Sequence, residues 1–139
     1  MTILNRSEIK KRIPHREDML LVDQIKILND TEVEGSYFFT GEEWFFRGHF
    51  PEKPIVPGVI LCEIMAQSSC GLLLGQETDQ LPYLVGIHNT KFRKLVVPGI
   101  RVTACGRLTG IKGPFYFVSC QMYAGRFMCA EGELSFVIK

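Results

Sequence analysis

Only one stretch of this chain, Gly58 to Gly75, is apolar nearly throughout: Val59, Ile60, Leu61, Ile64, Met65, Ala66, Leu72 and Leu73 occur with no internal proline and few polar neighbours. Such a run reads as a helix buried on most of its sides. Pro57 suits the first turn, where a missing N–H has no intrahelical partner to lose, and Gly75 suits the C-terminal stop. The segments around it read as strands. In Arg126 to Lys139, Met128, Ala130, Leu134, Phe136 and Ile138 fall on one parity and Glu131, Glu133 and Ser135 on the other, the alternation of a half-buried strand. Ile100 to Ile111 and Pro114 to Tyr123 alternate in the same way, joined through Gly110 to Gly113, and Ala124-Gly125 leads on to the last strand. Leu20 to Leu28 and Thr31 to Thr40 flank Asn29-Asp30 as a further hairpin, and Tyr83 to Lys94 is a separate strand. About six antiparallel strands and one long helix predict an α+β fold in which a curled sheet wraps the helix.

Composition narrows the function. The 139 residues fit a single domain, 1–139, and 46% hydrophobic with 22% charged residues excludes global disorder. Sixteen basic against fifteen acidic residues leave +1, too little for a field that grips nucleic acid. No apolar run approaches the ~18 residues of a membrane span. Met1 to Arg12 lacks an apolar signal-peptide core, so a cytoplasmic location is expected. The five cysteines, Cys62, Cys70, Cys105, Cys120 and Cys129, are odd in number and without Cys-x-x-Cys spacing; they are expected as buried small hydrophobes. The three histidines lack ligand spacing and no phosphate-loop glycine pattern occurs, so neither a metal nor a nucleotide cofactor is expected.

Chemistry concentrates in Gly48-His49-Phe50-Pro51-Glu52-Lys53-Pro54-Ile55-Val56-Pro57-Gly58, the lead-in to the helix. Three prolines at a spacing of three predict a stiff, extended chain that keeps out of the sheet and fixes His49. The first helical N–H groups, beginning near Gly58, lack backbone acceptors and suit an oxygen gaining negative charge. Glu63, in the second turn of a greasy helix, must either be paired or have its pKa raised, which makes it a candidate general acid. The alternatives for it are a solvated residue or the partner of an arginine. His49, with an unperturbed pKa nearest neutrality, is the candidate base. Gln67, one turn beyond Glu63, is placed to hydrogen-bond its carboxylate. His15, in Pro14-His15-Arg16, reads as a loop-ordering residue, and His88 as an exposed strand residue.

The signature Gly-His-Phe-Pro-x-x-Pro-x-x-Pro-Gly, followed by a helical Glu63 and then Ala66-Gln67, resembles the 3-hydroxyacyl-acyl-carrier-protein dehydratases of type II fatty acid synthesis. The resemblance extends through Pro14-His15-Arg16, Leu21-Val22-Asp23, Lys91-Phe92-Arg93 and Val96-Val97-Pro98-Gly99, and departs from the usual pattern at His88, Leu95 and Ile100. It implies a hot-dog fold and a homodimer, often a trimer of dimers, with each site's His and Glu supplied by different subunits. It also implies dehydration of a (3R)-3-hydroxyacyl thioester to the trans-2-enoyl thioester without a cofactor, with His49 as base and Glu63 as acid. Related dehydratase-isomerases commonly carry Asp where Glu63 stands, which favours a pure dehydratase. Gly58, Gln67, Phe50 and Val59 are the expected oxyanion and substrate-binding residues, and Ile55, Ile60 and Met65 further lining of an acyl tunnel. The acidic carrier protein implies a basic docking patch, for which Lys91, Arg93, Lys94 and Arg101 are the candidates, with Lys53 nearby. The alternatives are a hot-dog thioesterase, a CoA-linked hydratase, a dehydratase of a specialised polyketide-like lipid pathway, or a non-catalytic acyl-binding subunit.

Overall fold

The structure, a computed structural model, describes residues 1–75 and 79–139. In chain order it runs β1 (Thr2–Leu4), α1 (Arg6–Ile9), β2 (Gln24–Ile27), β3 (Glu32–Phe38), α2 (Gly58–Leu73), β4 (Pro82–Phe92), β5 (Arg101–Lys112), β6 (Phe115–Ala124) and β7 (Phe127–Ile138). Short 3₁₀ turns cover Glu17–Met19 and Trp44–Arg47.

Local signals account for most of these boundaries. Asn5 and Glu8 form a reciprocal capping box that starts α1. The β2–β3 turn is drawn in by Asn29, whose Oδ1 accepts from the N–H groups of Thr31 and Glu32, both at 2.9 Å. Gly113 and Gly125 take φ of +60° and +62° at the two tight hairpins that link β5, β6 and β7, a conformation that disfavours residues with a Cβ.

Seven antiparallel strands form one sheet in the order β1-β2-β3-β5-β6-β7-β4. The strand beyond the expected six is β1, three residues pairing with β2 between Thr2↔Ile27 and Leu4↔Ile25. The sheet curls around α2, whose residues from Ile60 to Gly71 are all buried except Glu63. This is the expected hot-dog layout. The helix satisfies its own hydroxyls: Ser68 and Ser69 each donate to the carbonyl four residues back, at 2.8 Å. Among the described residues no helix is long and apolar enough to cross a membrane.

Three local expectations are corrected. Leu20 to Val22 lies outside β2, because the N–H of Leu21 donates to the Gln67 side chain at 2.9 Å instead of to a neighbouring strand. Pro57, with ψ of 139°, is the residue before the helix and not part of its first turn. Leu74 caps the other end in an extended conformation, so Gly75 does not make the stop.

Candidate active site

The Trp44–Arg47 turn packs Phe45 and Phe46 into the core against Phe39 and delivers the chain to His49. Beyond it the prolines do not hold a simple extended strand. Phe50 and Lys53 exchange backbone hydrogen bonds at 3.2 and 3.1 Å around Pro51, making a tight turn. Its two ends are tied together. Ile55 N–H donates to the His49 carbonyl at 2.9 Å, and His49 Nδ1 stands 3.0 Å from the Ile55 carbonyl. A carbonyl can only accept, so Nδ1 carries the hydrogen and the neutral ring keeps its lone pair on Nε2. The Phe50 ring stacks on the imidazole at 4.2 Å.

Next along the chain, Val56 N–H donates to the Val96 carbonyl at 2.8 Å, which joins the lead-in to the segment after β4. The helix then opens with no side chain capping its N-terminus. Phe92 closes over this point: a Cβ on Gly58 would lie 2.9–3.1 Å from three atoms of its ring. His49, Gly48, Pro57, Val59 and Ile60 share an apolar cavity of about 370 Å³ with Trp44 and Phe45. Val59 is 74% exposed at its mouth, whereas Met65 is fully buried in the core.

Glu63 lines a separate cavity of about 230 Å³, with His15, Ala66, Cys70, Pro82, Tyr83, Leu84 and Phe136. Its carboxyl is paired. Oε2 accepts from Gln67 Nε2 at 2.7 Å and lies 3.3 Å from His15 Nε2. Burial by itself would raise the pKa of this carboxyl. The hydrogen bonds from His15 and Gln67, with the charge of His15, more than offset that and hold it below the ordinary carboxylate range. Of the two sequence expectations for Glu63, pairing is therefore the one realised, and the partner is a histidine and not an arginine. Gln67 is fully buried, and its polar atoms are occupied by Leu21 N–H, the Met19 carbonyl and Glu63. It supports Glu63 and does not line either cavity.

Sequence reading missed His15. The loop around it is ordered instead by Arg16, whose guanidinium donates to the carbonyls of Lys10, Ile13 and His15 at 2.7–2.8 Å. The usable signal was Pro14-His15-Arg16 itself, a stiffened histidine with no assigned partner. His88 is exposed, as expected.

The basic candidates are all exposed but not equally free. Arg93 is paired with Glu131, and Arg101 lies 3.7 Å from Asp23. Lys94 sits 4.0 Å above the Phe127 ring, and Arg126, which the sequence reading did not single out, faces the same ring at 5.5 Å. Arg93 and Lys94 lie just beyond the end of β4. Among the described residues no group of three His, Cys, Asp or Glu is placed to hold a metal ion.

A curled sheet around a buried helix that carries one carboxyl, with a tautomer-fixed imidazole beside the helix start, places the chain among hot-dog proteins. A family model of the FabA-like domain matches residues 13–114. The chain is 41% identical over 138 residues to the 3-hydroxyacyl-[acyl-carrier-protein] dehydratase FabZ of Clostridium botulinum, covering 97% of this chain and 96% of the relative. It is 37% identical to the enzyme of the same name from Clostridium kluyveri over 94% and 93% of the two chains. Among solved structures, the dehydratase heterocomplex ApeI:P from Xenorhabdus doucetiae superposes with a TM-score of 0.77 at 16% identity, over 95% of this chain and 91% of that one. The uncharacterized protein PH1136 from Pyrococcus horikoshii gives 0.72 at 14% identity, over 100% and 95%. The protein belongs to the FabA-like family, among the 3-hydroxyacyl-acyl-carrier-protein dehydratases.

Proposed function

We propose that this protein removes water from (3R)-3-hydroxyacyl thioesters of acyl carrier protein in fatty acid biosynthesis, giving the trans-2-enoyl thioester. The observation that carries the reading is the His49 tautomer: Nδ1–H is committed to the Ile55 carbonyl, which leaves the Nε2 lone pair as a base beside an uncapped helix N-terminus. Nε2 takes the C2 proton while the Gly58 N–H stabilises the thioester oxygen as it becomes enolate-like. Glu63, entering the forward reaction protonated, delivers that proton to the departing hydroxyl and is left as carboxylate; the proton taken up by His49 returns to Glu63 through solvent before the next turnover. The C2–H and C3–O bonds break, the C2=C3 bond forms, and water leaves. A depressed pKa makes Glu63 the stronger acid once protonated; in the reverse direction its carboxylate activates the water that adds.

His49 and Glu63 line different cavities of the chain. The reading is therefore of a site completed between two copies, each lending one of the pair, in a homodimer that assembles further into a trimer of dimers. The sheet edge supports this. Among the described residues β4 pairs with β7 alone, and Tyr83, Val85, Ile87 and Phe92 along it are 44–53% exposed, an apolar edge of the kind that seeks a partner. Residues 1–139 act as one unit. Lys91, Arg93, Lys94 and Arg101 are assigned to carrier-protein docking, with Arg126 added for its position beside Lys94. Free thiols at all five cysteines fit a reducing cytoplasm.

The test is the product. Purified protein incubated with a 3-hydroxyacyl carrier-protein thioester should generate enoyl-thioester absorbance with the thioester intact. Release of free thiol without enoyl product would replace this reading by a thioesterase.

A further inference from the structure

The Glu63 carboxyl is held by one oxygen only. His15 Nε2 and Gln67 Nε2 both approach Oε2, at 3.3 and 2.7 Å, while Oε1 makes no hydrogen bond with any described residue. An ionised carboxylate only accepts, so His15 Nε2 carries a hydrogen toward it. The Gln67 hydrogen bond and the His15 ion-pair contact bear on the same oxygen of a planar group, which leaves the other oxygen without a partner among the described residues.

Neither donor is loose. Gln67 is fully buried and anchored at both ends of its amide by Met19 and Leu21. His15 stands on the loop that Arg16 laces together, behind Pro14. Its Nδ1 is buried without a partner, and among the described residues the one polar contact of this ring is with Glu63. A loop-ordering histidine would bond its own loop. This one reaches across to the central helix.

We propose that His15 is a positioning residue for the dehydration, holding Oε2 of Glu63 so that Oε1 is the atom presented to the substrate hydroxyl. This rests on the dehydratase reading, although the placement of the carboxyl is measurable without substrate. The other titratable groups around Glu63 are Cys62 and Cys70 on its own helix, kept neutral by burial, and Tyr83 of β4, which lines the same cavity. None of them hydrogen-bonds Oε2.

The experiment compares His15→Leu, which removes the donor, with His15→Gln, which returns an N–H near the Nε2 position, in the full chain. His15→Leu should lower kcat by about tenfold or more, since small misplacements of a reacting group are costly, with KM changed less than about threefold. His15→Gln should recover most of that loss. In a Glu63→Gln background, adding His15→Leu should cost no further activity, because the carboxyl it positions is already gone. Wild-type kcat in His15→Leu, or the same loss in the Glu63→Gln background, would overturn the proposal. The carbon-13 titration of the Glu63 carboxyl gives a readout independent of turnover: its midpoint should rise in His15→Leu, because burial remains while one of two donors is lost. An unmoved midpoint counts against the proposal too, and His15→Ala serves in the same comparison if the leucine variant does not fold. Wild-type protein that fails to dehydrate hydroxyacyl thioesters, yet shows the midpoint shift, would refute the reaction and leave the positioning intact.

Discussion

The tip of the Phe92 ring reaches Gly58: a Cβ at Gly58 would fall 2.9–3.1 Å from its Cζ, Cε2 and Cε1. The two residues come from different elements, the end of β4 and the first turn of α2, and their contact lies at the helix N-terminus, which no side chain caps. Glycine is needed here for space.

Gly58→Ala should therefore cost activity more than stability. Phe92 is 51% exposed and can swing aside, but the added methyl crowds the place where the thioester oxygen would sit. Alanine keeps the backbone N–H, so the loss comes from the methyl holding the oxygen off that donor and should reach at most the about 10²- to 10³-fold in kcat that loss of one oxyanion donor costs. Steady-state kinetics on a hydroxyacyl thioester, with thermal unfolding as the control, would check this; unchanged kcat removes Gly58 from the oxyanion role.

Removing either member of the acid–base pair should abolish most turnover. His49→Ala and Glu63→Gln are each expected to lose about 10²- to 10⁴-fold. Mixed together under verified subunit exchange, the two inactive proteins should regain up to roughly one quarter of the wild-type sites, since random pairing makes half the dimers mixed and each mixed dimer holds one intact site. No recovery would mean that each chain carries its own complete pair.

The depressed pKa of Glu63 makes a signed prediction for stability. A carboxyl whose folded pKa lies below its unfolded value of 4.5 contributes stability that is fully present above pH 4.5 and drains away as pH falls through the folded value. Urea unfolding followed across that acid range should show wild-type stability falling with pH more steeply than that of Glu63→Gln. Parallel curves would mean that the pairing with His15 and Gln67 does not persist in solution.

Carrier-protein docking should depend on the unpaired cations more than on the paired ones. Reversing Lys94 or Arg126 to Glu removes a charge that no carboxylate among the described residues neutralises, whereas Arg93 and Arg101 already engage Glu131 and Asp23. Exposed ion pairs are worth about 0.2–1 kcal/mol, so each reversal at Lys94 or Arg126 should raise KM for carrier-bound substrate by up to about fivefold at low salt. The effect should shrink at high salt, where screening shortens its reach. Turnover of a small N-acetylcysteamine thioester should stay constant; equal impairment of both substrates would withdraw the docking assignment.

Gly35 of β3 sets how closely the sheet approaches the helix. A Cβ there would stand 1.9 Å from Ser68 Oγ and 2.5 Å from Ser68 Cβ, and Ser68 is itself buried. Gly35→Ala should destabilise by about 1–3 kcal/mol through overpacking. Ser68→Gly added to it should return part of that in denaturant titrations, less the roughly 1 kcal/mol that glycine costs within a helix.

Much of the architecture was legible before any coordinates. Alternation in the second half fixed β5, β6 and β7 to within a residue or two, because each strand has one face in the core and hydropathy reports that directly. The Gly58 to Leu73 helix announced itself by being apolar on almost every side. Leu20 to Val22 misled, since its apolar run is equally at home in a strand or in a segment laid across the helix; Gln67 decided it. β1 went unseen because three residues carry too little periodicity to read.

By itself the sequence determined which residues are candidates for the chemistry, a proline-flanked His49, a glycine where a helix begins and a lone carboxyl in an apolar helix, because residue type and local spacing are properties of neighbours in the chain. Only the tertiary structure decided the state in which those groups sit. Glu63 meets His15 and Gln67 meets Met19 across more than forty residues of sequence, and His49 receives its tautomer from a turn closed by Ile55. Hydrogen bonds and desolvation act over a few ångströms of space, so the proton on Nδ1 and the anionic Glu63 follow from which surfaces fold against one another, information that local periodicity does not contain.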